Sequence, residues 1–177
     1  MGRPKPLVEL RGLPLICYPL GAIEGAGLEP LVVAKPDSEL PDLTCRVARE
    51  PEQNSHPLVG IVAALRSAAR PVVVIACDMP FVPPAMLSWL AGLDERLAVC
   101  EVEGRLHPLL GLYDPSFVHD LEAALARGES ATDAARALDA RVIGARELRR
   151  FGDPARICFN VNTREDLEEA RTLLAKP

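Results

Sequence analysis

Apolar residues recur along the chain in two rhythms. Val72-Val73-Val74-Ile75-Ala76-Cys77 is continuously apolar, which predicts a strand buried on both faces, as in the middle of a parallel sheet. Residues 30–34, with Leu31-Val32-Val33, predict a short strand, residues 44–48 a weaker one and residues 157–161 a final one. Ile61, Val62, Leu65 and Ala69 repeat at helical spacing, so the stretch 57–69 begins as a loop and becomes a helix. Helices are also predicted over residues 14–27, 83–93, 115–126, 130–138 and 163–175, with prolines near several starts and glycines near several ends. Pro19 conflicts with the first of them, because an interior proline removes a helix hydrogen bond; that helix either kinks there or begins later. Ser130 and Thr163 are the predicted caps of the last two helices, with Asp133 and Asp166 three residues on. Two runs, Leu97–Val102 and Arg105–Tyr113, are joined by Glu103-Gly104 and predict a hairpin.

Strands alternate with helices through the first half. The expected class is therefore α/β with a mostly parallel sheet, to which the hairpin adds antiparallel strands. In open sheets of this kind ligands sit outside the carboxyl ends of the strands, so the residues just after each strand are the candidates for chemistry.

Composition narrows the picture. A chain of 177 residues suits one domain and buries enough surface for a core without staples. Hydrophobic residues are 49% and charged residues 25%, an ordinary globular balance that disfavours disorder. The net charge of −5 and the absence of a basic patch argue against a nucleic-acid partner, and 4% aromatic residues argue against a stacking platform for single strands. The five cysteines are spread singly, with no CxxC spacing, and read as thiols in a reducing compartment. The longest apolar run is too short to span a bilayer and no signal-peptide core is evident, so a cytoplasmic location without membrane contact is expected.

Five segments carry candidate chemistry, each with a plainer alternative. Cys77-Asp78-Met79-Pro80-Phe81 puts a carboxylate at the carboxyl end of the most apolar strand, where a metal-bound phosphate would sit; otherwise Asp78 caps the turn before Pro80. Met1-Gly2-Arg3-Pro4-Lys5 places two cations beside a glycine, suited to a polyphosphate or merely solvated. In His56-Pro57-Leu58-Val59-Gly60, Gly60 lets backbone N–H groups approach a ligand at a helix start, or marks a turn. His107-Pro108-Leu109-Leu110 puts a histidine in a strand run, where a structural role is the commoner one. Phe159-Asn160-Val161-Asn162-Thr163 alternates two amides that share one face of a strand, or else leads into the last helix.

Taken in this order, and with His107-Pro108-Leu109-Leu110-Gly111-Leu112-Tyr113 as the fourth piece, these segments resemble the molybdenum cofactor guanylyltransferase family of nucleotidyltransferases over nearly the whole chain. The resemblance implies a three-layer Rossmann-like nucleotidyltransferase fold and transfer of GMP from Mg-GTP to the terminal phosphate of the molybdenum-pterin cofactor, with pyrophosphate released. It implies that Lys5 contacts the GTP phosphates and that Asp78 binds Mg²⁺, with these two as the catalytic pair. It assigns Gly2, Arg3, Glu50 and Gly60 to the GTP side, with Glu52 as the alternative to Glu50, and His107, Asn160 and Asn162 to the pterin side. Molybdoenzyme maturation proteins are the further partners it implies. The family signature opens with a strand and a Gly-Gly-x-Ser-x-Arg-Met-Gly loop. Met1-Gly2 fall on the last two positions of that loop, so residues 1–177 read as a single domain without the usual first strand and most of the loop. The competing readings are CMP transfer to the same pterin, a non-catalytic nucleotide- or pterin-binding protein, and a domain acting only through protein contacts.

Overall fold

Prolines and glycines place most boundaries in the computed structural model, which describes residues 4–51 and 56–175. Pro6 helps fix a 3-10 turn at Lys5–Leu7, followed by a two-stranded hairpin of β1 (Glu9–Leu10) and β2 (Leu13–Pro14). Arg11 and Gly12, both at positive φ, form its two-residue turn. Helix α1 (Cys17–Gly25) begins later than residue 14, which resolves the conflict at Pro19. Pro19 falls in the first turn, where a backbone N–H has no helical partner anyway. β3 (Leu31–Ala34) and β4 (Arg46–Arg49) pair in parallel, and α2 (Pro57–Ala68) leads to β5 (Val72–Ile75).

The remainder comprises α3 (Pro84–Ala91), β6 (Leu97–Val102), β7 (Arg105–Tyr113), α4 (Val118–Ala126), α5 (Ala131–Ala137), β8 (Arg141–Ile143), α6 (Ala145–Leu148), α7 (Pro154–Ile157) and α8 (Arg164–Ala175). The central sheet has the order β5-β7-β6-β8. β7 is antiparallel to both β5 and β6, and only β6 and β8 are parallel. The α/β class is as expected, but the sheet is only partly parallel, because the long hairpin partner β7 inserts between β5 and β6. One apolar core lies on the α3 face of this sheet, around Met86, Leu90 and Leu110; a second lies on the other face, where α2, α4 and α5 bring Leu58, Leu65, Leu121 and Ala135. Among the described residues no helix is long and apolar enough to cross a membrane.

The final predicted strand, residues 157–161, is not one. Asp153 accepts from the Ala155 N–H and Pro154 occupies the first helical turn, so residues 154–157 form α7 instead. The following segment is tied to the sheet edge by a single backbone bond, Val161 N–H to the Asp78 carbonyl, at 2.9 Å. Val142 and Ile143, a short β-branched pair before Gly144, do form a strand, which sequence patterning did not single out.

Candidate functional site

Three distant parts of the chain meet beyond the carboxyl end of β5. Asp78 follows that strand and is 9% exposed, the one buried charged residue among the described residues. Lys5 Nζ donates to Asp78 Oδ2 at 2.8 Å and also to Asn162 Oδ1. Each arrives by a separate local device. The β1–β2 hairpin and the 3-10 turn hold Lys5. Leu10 and Leu15 of this region pack with Val161 and Ala170 in a small core that ties the start of the chain to α8. Tyr18 donates its hydroxyl to the Leu10 carbonyl at 2.5 Å. Asn162 is held by the start of α8: the Asn162 and Thr163 N–H groups both donate to Asp166 Oδ2 at 2.8 Å, and the Asp166 N–H donates back to Thr163 Oγ1 at 3.1 Å. This capping box, with Asp in place of Glu, holds the Asp166 carboxyl below its usual range, mainly through the two backbone donors.

A cavity of about 750 Å³ opens beside this cluster, and Lys5, Asp78, Glu50 and Gly60 all line it. Glu50 follows β4, and its N–H donates to the Ala34 carbonyl at 2.8 Å. Its Oε2 is buried without a hydrogen-bond partner in the structure. Burial pushes its pKa up, and the Lys35 charge opposes this in part. Gly60 lies in the first turns of α2, where a Cβ would stand 3.1 Å from Glu50 Oε1; its bareness makes room for that carboxylate. A residue with an unpaired acceptor, lining a cavity together with a lysine and a second carboxylate, suits a polar ligand with donors of its own. Because the folded chain favours protonated Glu50, its contribution turns unfavourable as pH rises from the ordinary carboxylate value through the raised one. Glu50→Gln is expected to flatten that part of the stability profile, measured as the difference in Tm between variant and parent from pH 4 to pH 8; an unchanged difference would remove the burial argument.

The other sequence candidates fall as follows. Asn160 and Asn162 do not present parallel amides. Asn160 Nδ2 donates to the Cys158 carbonyl at 3.0 Å, and only Asn162 reaches Lys5, because the segment is a turn leading into α8 and not a strand. His107 is on β7, which runs antiparallel to β5, so positions before Leu110 extend past Ile75 toward the Asp78 edge. His107 does not line the cavity, and burial together with the Arg105 charge lowers its pKa. Gly2, Arg3 and Glu52 lie outside the described residues. Two features escaped sequence reasoning. Gly111 is required by the sheet itself, since a Cβ there would lie 2.3 Å from the Ala98 carbonyl oxygen. The Val161 N–H, a backbone group with no sequence signature, brings Asn162 to Asp78.

A divalent cation fits this donor set. Among the described residues no three His, Cys, Asp or Glu side chains gather as a metal cage. Asp78 supplies a hard oxygen ligand at an open cavity, as suits an ion held mainly by a substrate's phosphates and water.

Comparison with known proteins places this geometry in context. Residues 1–145 match the MobA-like NTP transferase domain family. The chain is 35% identical to a molybdenum cofactor guanylyltransferase of Cereibacter sphaeroides over 187 aligned residues, covering 99% of this chain and 90% of that protein. A probable molybdenum cofactor guanylyltransferase of Chloroflexus aggregans is 33% identical over 82% of this chain and 74% of its own length. Among solved structures, molybdopterin-guanine dinucleotide biosynthesis protein A from Archaeoglobus fulgidus superposes with a TM-score of 0.80 at 26% identity, over 99% of this chain and 93% of that one. A 2-C-methyl-D-erythritol 4-phosphate cytidylyltransferase from Thermus thermophilus shares the fold at a TM-score of 0.70 and 19% identity, over 97% and 93% of the two chains. With the family match spanning most of its length and a relative this similar end to end, the chain belongs to the molybdenum cofactor guanylyltransferase family of MobA-like NTP transferases.

Proposed function

We propose that this protein transfers GMP from Mg-GTP to the terminal phosphate of the molybdenum-pterin cofactor, forming the guanine dinucleotide and pyrophosphate. The observation that carries the reading is the convergence of Lys5, Asp78 and Asn162 at the carboxyl end of β5, beside a cavity large enough for a nucleotide. Similarity to the Cereibacter guanylyltransferase across nearly the whole chain supports guanine as the base over cytosine.

The chemistry asks for little covalent participation by protein. A phosphate oxygen of the pterin attacks the α-phosphorus in line and the bond to pyrophosphate breaks, so catalysis lies in positioning and charge neutralisation. Asp78 is the residue that holds Mg²⁺, and the ion, when bound, offsets negative charge on the triphosphate. Lys5 is a compact cation steered by two acceptors; on substrate binding it exchanges Asp78 for phosphate oxygens. Asn162 keeps the ammonium at that edge during the exchange. Glu50 and Gly60 line the same cavity, where the Glu50 carboxylate accepts from a nucleoside hydroxyl or amine.

The test is pyrophosphate release with Mg²⁺ and the molybdenum-pterin, comparing GTP with CTP. Release with GTP alone is expected. Preference for CTP would move the assignment to cytidylyl transfer, and release with neither would favour a binding protein.

A further inference from the structure

β7 keeps different registers with its two neighbours. Against β5 it runs regularly, from Tyr113 opposite Val72 to Leu110 opposite Ile75. Against β6 the ladder breaks. Consecutive Val99 and Cys100 face Gly111 and His107, so Pro108, Leu109 and Leu110 bow out of that ladder as a bulge. Proline suits the place, since it has no N–H to give a ladder. A bulge also takes carbonyls away from their ladder donors, and these need others. The Pro108 carbonyl finds its donor in Tyr113, five residues on in the same strand, whose hydroxyl donates at 2.7 Å. Tyr113 is 1% exposed and packs in the core on the α2 side. Burial pushes its pKa up, so the hydroxyl keeps its proton and remains a donor.

The same bulge anchors the turn that carries Asp78. The Leu109 carbonyl accepts from the Ala76 N–H at 2.9 Å, one residue past the end of β5. The Ala76 carbonyl accepts in turn from the Met79 N–H at 3.2 Å, closing a turn that has Asp78 inside it. Side chains repeat the connection. Leu110 and Met79 are buried together in the core on the α3 side, and Leu109 lines the cavity with Asp78. Successive carbonyls of an extended chain point to opposite edges, as those of Pro108 and Leu109 do here. Without the Tyr113 hydroxyl the Pro108 carbonyl loses its donor. Rotation of that peptide toward water regains one, and it carries the Leu109 carbonyl off the Ala76 N–H.

We propose that Tyr113 is a positioning residue for Asp78: its hydroxyl latches the β7 bulge, and the latched bulge sets the turn that presents the carboxylate to the metal. The coupling of latch to turn stands on its own; its consequence for the metal rests on the role proposed for Asp78.

The experiment compares the parent chain with Tyr113→Phe, which keeps the ring and removes only the hydroxyl. The control is Ile143→Val, a buried change on β8 at the opposite edge of the sheet from β5, which supplies a modest fall in Tm without touching the bulge. Hydrogen–deuterium exchange is followed without nucleotide, well below Tm, on peptides covering residues 76–82. Tyr113→Phe is expected to speed it by about tenfold and Ile143→Val to leave it unchanged. Pyrophosphate release with GTP and the molybdenum-pterin is then measured against Mg²⁺ concentration. Tyr113→Phe is expected to raise the concentration that gives half the maximal rate by about tenfold, with the rate recovering in excess Mg²⁺, while Ile143→Val matches the parent. Parent-like exchange in Tyr113→Phe would overturn the latch. Faster exchange with an unchanged Mg²⁺ requirement, or equal effects in the two variants, would overturn the positioning role. If the parent releases no pyrophosphate, the guanylyl reading fails, and exchange alone still decides whether the latch holds the turn.

Discussion

Asp78→Asn is expected to lower turnover by about 10²–10³-fold while the chain still folds. Asparagine keeps the shape of the side chain and leaves the Asp78 backbone carbonyl free to accept from the Val161 N–H, so the edge that holds Asn162 survives. What is lost is the negative charge, and with it the metal ligand proposed above and the ion pair with Lys5, while the amide oxygen can still accept. The Lys5 side chain is 42% exposed, so losing its ion-pair partner costs about 1 kcal/mol or less in stability. The measurement is pyrophosphate release at saturating Mg-GTP, with circular dichroism as the fold control. Undiminished Mg²⁺-dependent turnover in a folded variant would remove Asp78 from the mechanism.

The second large effect concerns stability. Gly111 is in the middle of β7, opposite Val74 of β5 on one side and Val99 of β6 on the other. The β6–β7 register shifts just past this point, between Val99 and Cys100, and the strands close in. A methyl group at 111 would sit 2.3 Å from the Ala98 carbonyl oxygen and 3.2 Å from the Val99 Cα, both backbone atoms of a strand locked on two sides. Relief requires moving the sheet. Gly111→Ala is expected to cost roughly 3 kcal/mol or more and to lower Tm by about 10 °C. Gly21→Ala is the matched control: its Cβ meets nothing within 4 Å and α1 is already helical there, so Tm is expected to hold or rise slightly. Equal behaviour of the two variants in a thermal melt would contradict the steric account.

Local chemistry was legible in the chain wherever one short segment decides the outcome. The helix starts at Ser130 and Thr163 follow from caps whose side chains do accept the expected backbone N–H groups. The hairpin at Glu103-Gly104 follows from a turn that needs positive φ at both positions, which both residues adopt. Asp78 is singled out by its place after the most apolar strand, against the plainer reading of a turn cap, and the structure puts it on the cavity wall beside Lys5. Patterning failed where a tertiary partner decides. Residues 157–161 have the composition of a strand, but Asp153-Pro154 starts a helix in front of them, and the remainder contributes one hydrogen bond to the sheet. Val72 to Ile75 read as a strand in the middle of a parallel sheet; both their faces are packed, but the strand pairs antiparallel with β7 and, among the described residues, on one edge alone. The meeting of Lys5, Asp78 and Asn162 spans almost the entire chain and has no local signal, so only the resemblance to a family linked those residues before the structure did.

The central claim is that the Lys5–Asp78 edge moves GMP, and the most direct test follows the α-phosphorus. The chain is incubated with Mg²⁺, the molybdenum-pterin and GTP labelled at that phosphorus. The account predicts that label moves onto the pterin in equal amount with unlabelled pyrophosphate, and that Asp78→Asn prevents both. Label that stays with free guanine nucleotides while the pterin remains unmodified would contradict it.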